Sequence, residues 1–126
     1  MSQNKKVLLG PVAFATSVGV LFKPGTVTGG TNLPPVSTNT YYRIYHITVI
    51  NTAASAGTFN IYKETATPAG AAAKSIVGVL QSVAANSAYH WYGDVRVSAD
   101  ETDLCITGLA SAVTMTVVME AEMGIV

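Results

Sequence analysis

The sequence predicts an all-β fold, a single-domain β-sandwich of jelly-roll type with about eight strands. In residues 113–123, apolar side chains occupy alternate positions and only Val118 breaks the pattern. Because successive side chains of a strand point to opposite faces, this period of two indicates one buried face and one open face. Short apolar and aromatic segments recur roughly every 8 to 15 residues with turn residues between them, as in sandwiches and barrels.

The N-terminal third is predicted to hold short strands followed by a long arm. The strands are residues 7–9, 12–15 and 18–22, separated by Gly10-Pro11 and stopped by the turn Lys23-Pro24-Gly25. In that turn, proline presets φ and glycine permits a positive φ. Residues 26–39 are rich in glycine, proline and hydroxyl side chains and are expected to form an extended arm. A loop of this length in a small domain is often functional.

The middle of the chain is predicted to contain the central strand. Residues 40–51 are dense in Tyr, Ile, Val and Thr, which suit a pleated, half-buried surface. Residues 58–63 alternate in polarity and, after a small-residue turn, are expected to pair with residues 40–51 as a β-hairpin. Residues 64–72 are predicted to be a connection, and residues 75–81 a strand in which Gly78 marks a bulge or a close backbone approach.

An aromatic strand is predicted at residues 88–97. Its two faces carry Tyr89, Trp91, Gly93, Val95 and Val97 on one side and His90, Tyr92, Asp94 and Arg96 on the other. An exposed acidic turn is expected at 98–103, a short strand at 104–106 and a small-residue loop at 107–112. The strands at 40–51 and 113–123 are predicted to be the long inner strands.

These elements are expected to form one domain, with N-terminal strands and an extended arm in residues 1–39 and a β-sandwich core in residues 40–126. A chain of 126 residues is long enough for one sizeable core. Residues 1–6 are polar and are expected to be ordered only by a partner. Pro11 interrupts the apolar run after the two lysines, which argues against a signal peptide.

Charge is sparse and balanced. Lysine and arginine total 7 and aspartate and glutamate total 7, so the formal net charge is zero; no electrostatic footprint for nucleic acid or an anionic membrane is present. Charged residues make up 11% of the chain, against about 25% in typical soluble domains. Part of the surface is therefore expected to be buried against other subunits, and a homo-oligomer, specifically a trimer, is predicted.

Metal and cofactor sites are not predicted. His46 and His90 have no other His, Cys or carboxylate at metal-ligand spacing within their own segments, which argues against zinc. Asp100, Glu101 and Asp103 offer carboxylates for calcium, but they lack the EF-hand pattern and suit an exposed turn. The single cysteine, Cys105, lies in an apolar run and is expected to be a small core residue.

Three kinds of candidate site remain. A hydrolase could use His90 with Asp94, which share a strand face, but no nucleophile motif supports it. Aromatic residues could stack on sugars, with Tyr89, Trp91 and Tyr92 as the candidate glycan-binding or interface residues. In the arm, Leu33, Pro34, Pro35 and Val36 are apolar where no strand pattern buries them, so they are predicted to bind a partner.

A longer pattern resembles a known class of proteins. The segments YRIYHITVINTA, TFNIYKE and VAANSAYHWYGDVRVSADETDLCITGLASAVTMTV follow one another in this order. The chain from roughly residue 40 to residue 123 thereby resembles small β-sandwich virion proteins of tailed bacteriophages, including the decoration or cement proteins of capsids.

The resemblance implies a structural, non-enzymatic role. The chain would bind the major capsid protein or another virion protein, would lie in the virion on the capsid surface, and would be made in the host cytoplasm. The alternative is a tail, baseplate or host-recognition component with a glycan-binding aromatic face.

Overall fold

A computed structural model describes residues 5–37, 39–65, 74–77, 80–99 and 103–125. The predictions for residues 1–4, for most of the connection at 64–72, for Gly78 and for the carboxylates of Asp100 and Glu101 lie outside these residues. The described residues form ten β-strands: β1 (Lys5–Phe14), β2 (Gly19–Phe22), β3 (Val27–Thr28), β4 (Thr31–Asn32), β5 (Thr40–Asn51), β6 (Gly57–Glu64), β7 (Gln81–Val83), β8 (Ser87–Ser98), β9 (Cys105–Ser111) and β10 (Met115–Ile125).

The strands form two four-stranded antiparallel sheets and a small hairpin. Sheet 1 has the order β1-β10-β5-β8, sheet 2 has the order β2-β9-β6-β7, and β3 pairs with β4. Apart from the β6–β7 pair within sheet 2, the chain passes from one sheet to the other at each step between the eight longer strands, which gives them jelly-roll topology. The predicted fold class is confirmed, and β5 and β10 are the two inner strands of sheet 1, as expected.

The predicted hairpin of residues 40–51 with residues 58–63 is wrong, because β5 and β6 lie in different sheets. Asn51, buried at the end of β5, holds the connection at this corner. Its Nδ2 donates to the carbonyl oxygens of Ser55, Val83 and Ala84 at 3.0 to 3.2 Å. Its Oδ1 accepts from the Ala53 N–H at 3.0 Å. These bonds stabilise a crossing between sheets rather than a tight turn.

Three further boundaries differ from the predictions. β1 runs through Gly10-Pro11 as a single strand with a register shift there. β9 continues to Ser111 through the predicted loop at 107–112, because its residues from Cys105 to Gly108 are all buried and small side chains fit there. In the described part of the predicted strand at 75–81, Ser75 forms an isolated bridge with Tyr62, and β7 begins at Gln81.

The core lies between the two sheets. Its largest fully buried side chains are Leu9, Leu21, Phe22, Leu33, Tyr42, Ile44, Ile47, Phe59, Ile61, Ile106, Met115 and Met119. Aromatic rings meet edge to face, as in the pair of Phe22 and Tyr42 with centroids 5.2 Å apart, a geometry that favours ring contacts. Cys105 is buried, as predicted.

Residues 5–37 belong to this sandwich. β1 and β2 are edge strands of sheets 1 and 2, and the β3–β4 hairpin lies against β1. At that contact, a Cβ on Gly29 would come 2.4 Å from the Cα of Gly10. The Thr31 hydroxyl also donates to the Leu8 carbonyl at 3.3 Å. The arm is therefore packed on the domain.

The outer faces of the two sheets differ. On sheet 2, the outward side chains Asn60, Tyr62, Glu64 and Thr107 are buried. The segment 74–77 lies beside β6, where the Ile76 N–H donates to the Ile61 carbonyl at 2.9 Å and Ser75 forms a bridge with Tyr62. On sheet 1, by contrast, outward side chains such as Leu8 and Tyr92 are 60% and 71% exposed. We call this surface the open face.

Candidate functional site

The open face of sheet 1 brings polar side chains from three strands into one row. Strand register places Leu8, Glu120, His46 and Tyr92 side by side on β1, β10, β5 and β8. In the neighbouring row, Val118, Thr48 and His90 face the same way. This arrangement is the main chemical feature of the open face.

The two histidines of the chain meet there. His46 Nε2 lies 3.1 Å from His90 Nδ1, and the Thr48 hydroxyl lies 3.2 Å from each of these nitrogens. Sequence reasoning treated the histidines separately because each lies in its own strand. The signal that joins them is the register of β5 against β8, which pairs Thr48 with His90.

The geometry of the two histidine rings fits a direct hydrogen bond between them. The ring planes differ by 21° and the centroids are 5.3 Å apart. With nitrogens 3.1 Å apart, this separation places the rings nearly end to end, so that one ring nitrogen donates a hydrogen bond to the other. Among the described residues, no group of three or more His, Cys, Asp or Glu side chains is arranged to hold a metal ion.

Glu120 and Tyr92 complete this cluster. His46 Nδ1 lies 3.5 Å from a Glu120 carboxylate oxygen, and the Tyr92 ring stacks on the His46 ring at 4.4 Å with a 4° interplanar angle. In the tautomer that fits these contacts, His46 Nδ1 carries a hydrogen that points toward Glu120, and His46 Nε2 accepts a hydrogen bond from His90. The cluster is therefore a fixed, partly exposed polar patch.

His90 and Asp94, which a hydrolase could have used together, have different partners. Asp94 instead pairs with Arg43, whose Nε lies 3.2 Å from its carboxylate. The physical reason is a bulge between Ile44 and His46, where β8 inserts an extra residue opposite β5 and turns Asp94 toward Arg43. The pair is exposed, so its contribution to stability is small.

Three side chains of the cluster follow the order of a hydrolase triad, with Thr48 as nucleophile, His46 as base and Glu120 as orienting carboxylate. The Thr48 hydroxyl lies 3.2 Å from the His46 imidazole, and the imidazole lies 3.5 Å from the Glu120 carboxylate. Acyl transfer also needs hydrogen-bond donors placed for an oxyanion. Here the backbone around Thr48 is engaged in pairing with both β10 and β8. The described residues of this face place no free backbone donors beside the hydroxyl, so the arrangement lacks the means to stabilise an oxyanion.

The predicted aromatic set is divided between two faces. Tyr89 and Trp91 point inward and are half-buried against the core, where the Tyr89 ring meets Phe59 edge to face at 5.7 Å. The Trp91 indole lies over Gly93, where a Cβ would come 2.4 Å from the ring. Only Tyr92 of this set lies on the open face, so the three rings do not form one stacking platform.

A groove lies beside the start of β1. It has a volume of about 310 Å³ and is lined by Lys5, Lys6, Val7, Leu8, Thr31, Asn32, Leu33, Pro34, Tyr42 and Met123. We call it the Lys5–Lys6 groove. The volume is at the low end for small-molecule sites. Its lining contains two lysines and several apolar side chains and has no carboxylate. This chemistry suits a peptide segment of a partner protein that is acidic and partly apolar.

The predicted arm residues lie around this groove in different environments. The expectation that Leu33 lies outside the domain's own core is wrong, because its side chain is 1% exposed. Val36 packs partly on the core, while Pro34 and Pro35 are exposed. The Tyr42 hydroxyl donates to the Pro34 carbonyl at 2.7 Å. This bond fixes the arm where it borders the groove.

No protein-family model matches the chain, and no curated protein matches its sequence. Among solved structures, it is similar to a chain from Bacillus endospore appendages, described as a novel family of disulfide-linked pili. The TM-score is 0.49 and the identity 13%, with 99% of this chain and 86% of that chain covered. A similarity at this level carries no inference about function. Within the described residues, no helix has the length and apolar character needed to cross a membrane.

Proposed function

We propose that this chain is a structural virion protein that decorates the head of a tailed bacteriophage and stabilises it by binding the capsid surface. The resemblance of residues 40–123 to phage decoration proteins supports this role. Jelly-roll sandwiches are also common in viral capsid proteins. The chain acts as a rigid binding module, because the arm residues Leu33 and Val36 pack on the sandwich core.

The observation that carries the proposal is the Lys5–Lys6 groove. It joins exposed cations to apolar side chains at the edge of the sandwich, in a chain that has only 7 cationic residues. The partner that fits this chemistry is an acidic segment of the major capsid protein with one or two apolar side chains. The apolar contacts would supply affinity, and the lysines would orient the segment and speed its association.

Reattachment to phage heads that lack the protein tests this proposal. Purified protein is mixed with such heads and sedimented, and the bound fraction is measured against protein concentration. The double variant Lys5→Glu and Lys6→Glu is expected to bind about tenfold more weakly or worse, because like charges would face each other. Binding by the native protein is expected to weaken with salt.

Arg96→Glu is the matched control, because it reverses an exposed cation on β8, at the far edge of the same sheet. Its binding is expected to stay near that of the native protein. If the native protein does not sediment with heads, the decoration role is wrong. If both charge reversals weaken binding equally, attachment depends on overall charge and not on the groove.

A host-recognition role is the second candidate, favoured by the exposed Tyr92 ring beside the polar cluster. A glycan array would reveal it as binding that is lost in Tyr92→Ala and kept in Trp91→Phe, since Trp91 points into the sandwich. Absence of any glycan binding by the native protein would remove this candidate.

A further inference from the structure

The four edge strands of the sandwich are not equally protected against pairing with another strand. β2 and β7 are only 4 and 3 residues long, which limits what can pair with them. β1 carries Lys5, Lys6 and Pro11 and is contacted by the β3–β4 hairpin. Lysine, proline, bulges and covering loops are the features by which natural proteins block sheet edges.

β8 is the exception. It is 12 residues long, and Ser87–Tyr92, the part before its bulge, has no proline and no Lys, Arg, Asp or Glu. Within the described part of the chain, no strand is paired with its outer side. Backbone N–H and C=O groups on this edge are therefore available to a further strand.

We propose that two copies of this chain pair through Ser87–Tyr92, in antiparallel register about a two-fold axis, so that their sheets 1 form one continuous sheet. A two-fold contact joins the same surface of both copies, so self-pairing requires a segment that does not repel itself. Ser87–Tyr92 meets this requirement, because it contains no Lys, Arg, Asp or Glu that would face its own copy across the axis. Lys5 and Lys6 exclude the same pairing along β1.

The aromatic side chains near this edge favour a second copy over an unrelated strand. Tyr89 and Trp91 are only half-buried on the inner side of the sheet. In the paired sheet, each copy would cover the remaining surface of these rings in the other copy with rings of the same kind. Cross-strand aromatic pairs are among the more favourable contacts in antiparallel sheets.

Two alanines in one row of sheet 1 provide matched variants. Ala88 on β8 and Ala13 on β1 are both exposed and occupy the same row at opposite edges, with Thr116 and Ile50 between them. Ala88→Lys places two lysines close to the proposed axis and is expected to weaken dimerisation at least about tenfold. Ala13→Lys makes the same change at the other edge and is expected to leave it unaltered.

The measurement is sedimentation velocity with light scattering, from low to high micromolar concentration. The native protein is expected to move from the 13.1 kDa mass of one chain to twice that mass as concentration rises. A native protein that stays monomeric would overturn the proposal, and the β8 edge would then be open to pairing with a strand of a different protein. Three chain masses, or equal effects of the two lysines, would also overturn it, because association would then use another surface.

Hydrogen exchange provides a test that requires no variant. The backbone amides of residues 88–92 that point away from β5 are expected to gain protection as the protein concentration rises, while those of β1 do not. Unchanged exchange in β8 across a concentration range in which the mass doubles would contradict pairing through this edge. Both tests use the free protein, so their outcome is separate from that of head binding.

Discussion

At the scale of single residues, Tyr42 links the core to the arm. Its ring is 1% exposed, and its hydroxyl donates to the Pro34 carbonyl at 2.7 Å. Burial raises the pKa of the Tyr42 phenol above its ordinary value of 10.0. A group whose pKa is raised by folding contributes stability below its unfolded-state pKa and loses that contribution as the pH rises through the folded-state pKa.

We therefore predict that Tyr42→Phe lowers the free energy of unfolding by about 1 kcal/mol at neutral pH, since one partly buried hydrogen bond is lost. Above pH 10, the native protein should lose stability more steeply than the variant, because only the native protein must retain the buried phenol proton. Urea unfolding of both proteins at several pH values measures this. Parallel pH profiles would show that ionisation of Tyr42 is not linked to folding.

Leu33 attaches the arm to the core of the domain. Its side chain is fully buried in the core cluster, so Leu33→Ala should cost about 3 kcal/mol through lost burial and the cavity that remains. Pro35→Ala, at an exposed position of the same arm, should change the free energy of unfolding by less than about 0.5 kcal/mol. Thermal unfolding of both variants tests this. Equal, small losses would mean that Leu33 does not belong to the core.

Single residues also show where sequence reasoning succeeds. Burial of Cys105 was predictable, because an uncharged small residue in an apolar run has few other environments. The contact between His46 and His90 was not, because it depends on how β5 and β8 pair and on a bulge that shifts the register between Ile44 and His46. A change of one residue in register moves every subsequent side chain to the other face.

At the scale of elements, β5 matches the predicted strand at both ends, because the dense β-branched and aromatic residues stop at Asn51. The path of the chain after β5 was not predictable from local pattern. A hairpin and a crossing between sheets both need a short polar connection, so the local sequence does not distinguish them. The crossing is stabilised by hydrogen bonds from Asn51 to Val83 and Ala84, which lie far along the chain. The positions of the strands were thus easier to predict than the strands with which they pair.

The contact between the β3–β4 turn and β1 provides an element-scale prediction. Gly29 and Gly30 both have positive φ, 55° and 82°, so alanine at either position should cost about 1 kcal/mol in backbone strain. Only at Gly29 would the new Cβ also collide with the β1 backbone at Gly10, whereas nothing lies within 4 Å at Gly30. Gly29→Ala should therefore be less stable than Gly30→Ala by about 2 kcal/mol or more.

Chemical unfolding of the two alanine variants measures this difference directly. The comparison cancels the strain that both substitutions share and leaves the effect of the close approach. Equal stabilities would mean that the hairpin moves away from β1 at little cost, and the edge of β1 would then be less protected than the structure indicates.

At the scale of the whole molecule, the two sheets have different roles. Sheet 2 buries the outward side chains of Asn60, Tyr62, Glu64 and Thr107, while sheet 1 presents the open face, the Lys5–Lys6 groove beside one edge and the unprotected β8 at the other. Sparse charge predicted that part of the surface is buried in an assembly. Composition could not predict which part, because the location of an open surface depends on which side chains the fold buries, as it does for the outward Tyr62 and Glu64 of sheet 2. The trimer expected from composition and the two-fold pairing through β8 predict different masses, and sedimentation decides between them.

The composition of purified phage heads, separated from tails, tests the decoration role most directly. Quantitative mass spectrometry is expected to find the chain in tail-free heads at a fixed ratio to the major capsid protein. That ratio should fall strongly when the phage encodes glutamate in place of Lys5 and Lys6. Absence of the native chain from heads, with its presence confined to tails or to the unassembled fraction of the lysate, would contradict the proposed function.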